Sequence, residues 1–266
     1  MTLRLTILGC GSSAGVPRIG GDWGKCDPAN SKNRRQRCSL LVERYGPEGA
    51  TRVLVDTSPD MRSQMLQSNV PALDAVWYTH EHADHTHGID ELRAFFLIQR
   101  KRIPVYADAA TGQMLQQRFA YCFKDQGGYP AIAALHEIKS YRSLAANGAG
   151  GEIEAQPIPV RHGNIEALCF RFGAAAYMPD VNGIGPEAVE ALQGLDLLII
   201  DALRYTTHPS HFSLAETLAV IGELKPKRSV ITNMHIDLDY ETLKRELPAG
   251  VVPAYDGLTL DVRDEA

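Results

Sequence analysis

The hydrophobic pattern of the chain alternates between short strand-like runs and longer helix-like stretches. Apolar residues alternate with polar ones over positions 3–8 and stop at Gly9-Cys10-Gly11, as expected for a strand that enters a turn. The same criteria predict further strands at 39–43, 52–56, 75–78, 105–107, 152–160, 168–172, 174–178, 197–201, 229–232 and 258–262. Helices are predicted at 59–67, 88–99, 108–120, 186–192, 213–224 and 240–247.

The order of these elements indicates one domain that spans residues 1–266. No low-complexity linker or short repeat interrupts the sequence, and predicted strands lie on both sides of the glycine-rich stretch 147–151. Strands that recur between helices predict strand-rich layers flanked by helices.

Composition restricts the partners of the protein. The 266 residues carry a formal net charge of −5, which disfavours non-specific DNA binding but still allows a local basic pocket for a small phosphate. The longest apolar run, 195–200, is far shorter than the ~20 residues that span a bilayer, and we read no export leader at the N-terminus. The five scattered cysteines favour a reducing compartment, so we expect a cytoplasmic protein without membrane or DNA partners.

The clearest chemical signal is the segment Thr79-His80-Glu81-His82-Ala83-Asp84-His85, directly after a predicted strand. It contains three histidines and an aspartate that could ligate a metal, and imidazole and carboxylate are common ligands of borderline cations. On an extended segment His80 and His82 point to the same side. Asp84 and His85, on a tighter turn, can face a second centre, so the spacing suits two metal ions.

Further ligands must come from other parts of the chain. His162, Asp180 and His235 each lie just beyond a predicted strand, where α/β proteins place their sites. The sequence therefore predicts that distant loops converge on the 80–85 segment.

This order of motifs resembles the metallo-β-lactamase-fold hydrolases. The resemblance implies an α/β fold, an αββα four-layer sandwich in which two central mixed β-sheets are flanked by helices. It also implies that His80, His82 and His162 bind a first metal, that Asp84, His85 and His235 bind a second, and that Asp180 bridges them. Asp56, at the end of a predicted strand, matches the carboxylate that holds a ligand histidine in the correct tautomer, although it could also simply form a turn.

Two N-terminal segments resemble the branch of phosphoribosyl 1,2-cyclic phosphate phosphodiesterases, which is related to the tRNA 3′-processing endonucleases. They are Gly9-Cys10-Gly11-Ser12-Ser13-Ala14-Gly15-Val16-Pro17 and Asn33-Arg34-Arg35-Gln36-Arg37-Cys38-Ser39. That branch builds a structural zinc site on a tight cysteine cluster here, whereas this chain has only Cys26 and the distant Cys38, so we expect that zinc to be absent. The three arginines either form a solvated surface run or grip phosphate.

A third segment, 201–213, resembles the phosphodiesterase relatives that place a histidine before a helix. The resemblance assigns His211 as the acid that protonates the leaving alkoxide and Asp201 as the residue that orients it, and His208 remains the competitor for the acid role. Together with Asp84, His211 and Asp201 are the candidate catalytic residues.

The sequence thus predicts a hydrolase that uses hydroxide generated by two divalent cations on a small cyclic or nucleotide-like phosphodiester. Alternatives are a thioester or lactam hydrolase of the same fold and a non-hydrolytic accessory or binding protein. Zinc and manganese both suit the ligand set, and iron is also compatible. An RNA substrate is disfavoured because the chain has no long basic arm; a homodimer is common in the family, and the oligomeric state stays open.

Overall fold

The computed structural model describes residues 2–263 of the chain. The strands of this part are β1 Thr2–Gly9, β2 Ser39–Gly46, β3 Gly49–Val55, β4 Ala75–Trp77, β5 Ile103–Ala107, β6 Ala133–Glu137, β7 Leu144–Gly148, β8 Gly151–His162, β9 Ile165–Phe172, β10 Ala175–Met178, β11 Leu197–Asp201, β12 Arg228–Thr232, β13 Val251–Pro253 and β14 Leu258–Arg263. The α-helices are α1 Met61–Gln67, α2 Ala83–Thr86, α3 Leu92–Gln99, α4 Ala109–Arg118, α5 Ala120–Phe123, α6 Pro186–Ala191, α7 Leu214–Leu224 and α8 Tyr240–Glu246. Short 3-10 helices lie at Ser31–Asn33 and Ile89–Glu91.

Within residues 2–263 the strands form two seven-stranded mixed sheets. The first has the order β14-β1-β2-β3-β4-β5-β6 and the second the order β13-β12-β11-β10-β9-β8-β7. In each sheet an antiparallel part adjoins a parallel part, which in the first sheet begins with the pairing of β3 and β4 and in the second with that of β10 and β11. The predicted sandwich of two mixed sheets flanked by helices is confirmed.

The core follows the two-residue period of the strands. In β3, Val53 and Val55 belong to the cluster that also contains residues of the second sheet, whereas Leu54 belongs to the cluster packed against α1, α3 and α4. Trp77 of the first sheet stacks on Phe172 of the second, with ring centroids 5.9 Å apart. Both faces of the first sheet are therefore buried, which explains why its central strands are almost continuously apolar.

The sequence missed three strands, and all three lie at sheet edges. β6 ends one side of the first sheet, and β7 and β13 are the two edges of the second. Edge strands are short and half solvated, so they carry little hydrophobic signal. His136 lies in β6 and stacks on Tyr106, and the helix expected at 88–99 is divided into Ile89–Glu91 and α3.

The strand ends bring the candidate residues to one side of the sandwich. Asp56 follows β3, and the segment 79–85 follows β4. In the second sheet His162 ends β8 and Asp201 ends β11, while Asp180 comes two residues after β10 and His235 three residues after β12. In the described part of the chain no helix is both long and apolar enough to cross a membrane.

Candidate metal centre and catalytic site

Four of the seven predicted ligands form one cluster. One ligand atom from each of His80, His82, His162 and Asp180 lies within 4.8 Å of the others. The Nε2 atom of His162 is 3.1 Å from Nδ1 of His82 and 3.5 Å from Oδ2 of Asp180. Three of the four residues are buried and His82 is exposed, so the cluster lies at the floor of an open cleft.

Hydrogen bonds on the far side of the rings fix the histidine tautomers. The Thr79 hydroxyl donates to Oδ2 of Asp56 at 2.8 Å, so it can only accept the proton of His80 Nδ1, which lies 2.9 Å away. Nδ1 of His162 donates to the carbonyl oxygen of Ser210 at 2.6 Å. Both rings consequently direct the unprotonated Nε2 into the cluster.

His85 lies beside this cluster and on the other side of Asp180. Its Nε2 is 3.1 Å from Oδ1 of Asp180 and 3.7 Å from Oδ2 of Asp84. Its Nδ1 donates to Oδ2 of Asp56 at 2.7 Å, so this carboxylate holds the ring as predicted from the sequence. Burial alone would lower the pKa of His85, but Asp180, Asp56 and Asp84 raise it well above its usual value. The surroundings of His85 therefore attract positive charge.

The donor set fits divalent cations. The Nε2 atom of His80 is buried and has no hydrogen-bond partner among the described residues, and burial lowers the pKa of this imidazole well below its usual value. A buried nitrogen lone pair without a partner is costly unless it binds a cation. Burial would raise the pKa of Asp180, yet His85, His211 and His80 hold it well below its usual range, so a carboxylate faces these rings.

His235 contacts other groups than the four clustered ligands. Its Nε2 contacts the guanidinium of Arg18, and its Nδ1 contacts the carboxylate of Asp237. It lines a cavity of about 270 Å³ together with Arg18, Asp84 and His211. The structure thus places His235, the residue that the resemblance assigned to the second metal, in a cavity with Asp84, and an arginine contacts its Nε2.

The two candidate acids have different partners. Nδ1 of His211 donates to Oδ2 of Asp201 at 2.8 Å. Burial alone would lower the pKa of His211, but the bond to Asp201 and the charge of Asp180 raise it to about 9. In contrast, Nδ1 of His208 accepts a hydrogen bond from the Ser210 amide at 3.3 Å, and burial lowers the pKa of its ring. The geometry favours His211 as the proton donor.

The three sequence arginines do not act as one group. Arg35 is buried and donates to the carbonyl oxygens of Leu238 and His235, at 2.7 and 3.3 Å. Arg37 pairs with Asp60, and Arg34 lies over a tryptophan ring. Arg35 therefore supports the loop that carries His235, and it belongs neither to a solvated run nor to a phosphate grip.

Sequence reasoning missed three polar residues at the site. Arg18 lines the cavity, Thr79 links Asp56 to His80, and Asn233 donates to Asp180. Thr79 and Asn233 carry the same signal as the predicted ligands, a polar side chain directly after a buried strand. Nothing in the sequence indicates the direction of the Arg18 side chain.

Comparison with known proteins places this arrangement in a family. Residues 51–236 match the family model described as a β-lactamase superfamily domain. A crystal structure described as a new diphosphatase from the PhnP family is 37% identical, with a TM-score of 0.89 over 98% of each chain. Zn²⁺-bound PqqB from Methylobacterium extorquens is 19% identical, with a TM-score of 0.74 over 97% of this chain and all of that one, which shows the shared fold alone.

One curated protein is also similar in sequence. An octanoyltransferase of Porphyromonas gingivalis is 32% identical over 261 residues, which are 96% of this chain but 51% of that protein. The chain thus spans about half the length of this relative. The name octanoyltransferase refers to that whole protein.

Proposed function

The chain belongs to the β-lactamase superfamily and, within it, to the PhnP family, and on that premise we propose that it is a phosphodiesterase with a dinuclear metal centre. Its substrate would be a small cyclic or nucleotide-like phosphodiester. The observation that carries the proposal is the arrangement in which the Asp180 carboxylate lies among the histidines of the cluster and His85, with the His211–Asp201 pair beside them.

The ligands divide around the two oxygens of Asp180. Oδ2 lies 3.8 Å from Nε2 of His80 and 3.5 Å from Nε2 of His162, whereas Oδ1 lies 3.1 Å from Nε2 of His85. His80, His82 and His162 would hold one cation, and Asp84, His85 and His235 the other, with Asp180 shared. For this, Nε2 of His235 would exchange its contact with Arg18 for the cation. Bound divalent cations lower the pKa of water and neutralise charge on phosphoryl oxygens. Nitrogen and carboxylate donors of this kind suit zinc or manganese.

The other side chains supply the remaining chemistry. The Asp201 carboxylate accepts the Nδ1 proton of His211, which stabilises a positive ring and leaves Nε2–H for the leaving oxygen. Arg18 places a guanidinium in the same cavity, where it can bind a phosphate oxygen. A guanidinium and a proton donor in one cavity suit an anionic phosphodiester better than a neutral lactam or thioester. A cytoplasmic location and the absence of DNA, RNA and membrane partners stay predictions from composition.

The proposal can be tested with chelator-treated protein to which Zn²⁺ or Mn²⁺ is returned. We expect two cations per chain by metal analysis and metal-dependent hydrolysis of bis-p-nitrophenyl phosphate, with little turnover of a thioester or of nitrocefin. Asp180→Asn should lose both metal and activity. Asp196→Asn, which alters an aspartate paired with Lys227 at the surface, is the control and should keep both. Faster hydrolysis of the thioester or nitrocefin would contradict the proposal.

A further inference from the structure

Asn233 occupies a backbone conformation that most residues avoid. It directly follows β12, has a φ of 57°, and is 2% exposed. Left-handed backbone is disfavoured for residues with a Cβ atom, and asparagine and aspartate tolerate it best. Asp56, which holds His85, has the same feature with a φ of 65° directly after β3. Such residues persist where surrounding structure fixes them, often at functional sites.

The amide of Asn233 is committed to two acceptors. Nδ2 donates to the carbonyl oxygen of Pro179 and to Oδ1 of Asp180, both at 3.1 Å. Since both partners only accept, the orientation of the amide is fixed. Nδ1 of His211 lies 3.3 Å from Nδ2, but it directs its own proton to Asp201.

These bonds determine which way the Asp180 carboxylate faces. With Oδ1 held by Asn233, this oxygen meets Nε2 of His85, and Oδ2 is left for Nε2 of His162 and His80. Rotation of the Asp180 carboxylate would break the hydrogen bond from the Asn233 side chain and misplace both carboxylate oxygens. We infer that Asn233 is a positioning residue that sets the Asp180 carboxylate so that one oxygen serves each cation position. The inference rests on the proposed dinuclear function and names a residue to which neither the sequence motifs nor the comparisons give a role.

The experiment compares two Asn→Gly variants. Asn233→Gly removes the amide but accepts positive φ without strain. Asn69→Gly is the matched control because Asn69 is exposed and has a φ of 51°. Chelator-treated proteins are titrated with Zn²⁺ by calorimetry and with Co²⁺ by visible absorption, and the melting temperature of each metal-free protein is measured.

We expect wild type and Asn69→Gly to bind two cations equally well. Asn233→Gly should bind at least one of them about 10–100-fold more weakly, with an altered Co²⁺ spectrum. Asn233→Asp keeps the size and backbone tolerance of the residue but replaces the donor to Asp180 by an acceptor, so it should also alter the Co²⁺ spectrum. Asn233→Asp also keeps the inference testable if Asn233→Gly fails to fold.

The outcomes separate this inference from the proposed function. If wild type binds two cations and both Asn233 variants bind them with unchanged affinity and spectrum, the positioning role is wrong, even if the metal-free melting temperature falls. If wild type binds no cation, the proposed function and this inference both fail. Weaker binding confined to the Asn233 variants supports the inference.

Discussion

Replacing His211 by alanine should separate turnover from metal binding. The ring hydrogen-bonds Asp201 at 2.8 Å, and its side chain is 14% exposed, so Nε2 remains accessible from the cavity. Its Nδ1 lies 3.9 Å from Oδ2 of Asp180, which is too long for a hydrogen bond, and its ring packs edge-on against His162 with centroids 4.7 Å apart. Among the described residues no hydrogen bond joins His211 to a candidate ligand. The substitution should therefore leave the cation positions intact.

The expected loss follows from the proton that the leaving oxygen needs. A general acid contributes about 10²–10⁴-fold, or about 3–5 kcal/mol of barrier. An alkoxide, as released from 2′,3′-cyclic AMP, needs the full contribution. p-Nitrophenolate is a stable anion, so hydrolysis of bis-p-nitrophenyl phosphate should fall much less. The informative quantity is the ratio of the two losses in kcat.

The assay compares wild type, His211→Ala and His208→Ala on both substrates, with metal content measured on the same samples. His208 is the matched comparison because it lies in the same cavity and its Nδ1 accepts a hydrogen bond from Ser210. We expect His208→Ala to lose less than about tenfold on either substrate. Equal losses of His211→Ala on both substrates would refute the acid assignment, and a larger substrate-dependent loss in His208→Ala would transfer it to His208.

Three other outcomes are expected. Asp56→Asn should weaken cation binding about 10–100-fold, because the amide cannot hold His85 as the carboxylate does; calorimetric titration measures this. Chelation of wild type should lower the melting temperature by about 10–20 °C if both cations are present at about 100 times their Kd, since each site then contributes about 2.7 kcal/mol. Asp239→Ala should cost about 1 kcal/mol in urea unfolding at pH 7, after allowance for solvent screening. Burial would raise the pKa of Asp239, but its hydrogen bonds lower it from 3.8 to about 2, so this difference from wild type should shrink as the pH falls from 4 to 2.

The fold could be predicted from the sequence because the central strands consist almost entirely of apolar residues. Strands such as β11, with five buried residues in a row, read as strands without any tertiary information. The edge strands β6, β7 and β13 do not, because each pairs on one side only and is short, whereas β14, also at an edge, shows enough alternation to be predicted. The capping box at Ser213 and Glu216 shows the opposite case, a local interaction that both the sequence and the structure contain.

The candidate ligands could be predicted from the sequence for a different reason. Each follows a strand, so the rule that strand ends share one edge of a sheet brings them together before any contact is known. The residues that support these ligands were harder to predict from the sequence. The sequence left Arg35 in either a solvated run or a phosphate grip, yet tertiary packing buries its guanidinium against carbonyl groups of the loop that carries His235. Charge clustering along a sequence does not indicate which member is buried.

The distribution of the ligands between the two sheets gives the site its physical character. The segment 80–85 follows the first sheet, whereas His162, Asp180 and His235 follow strands of the second. Each sheet also contributes one left-handed residue behind the ligands, Asp56 from the first and Asn233 from the second. Asp56 thus holds His85 and Asn233 holds Asp180 within their own sheets, whereas the His235 loop is supported by Arg35 from between β1 and β2. The packed core between the sheets sets the distance between the two groups. A substitution in that core should therefore reach the site by changing this distance. A substitution at Asn233 should instead change the orientation of Asp180 alone, and one at Asp56 should affect His85 directly and His80 through Thr79.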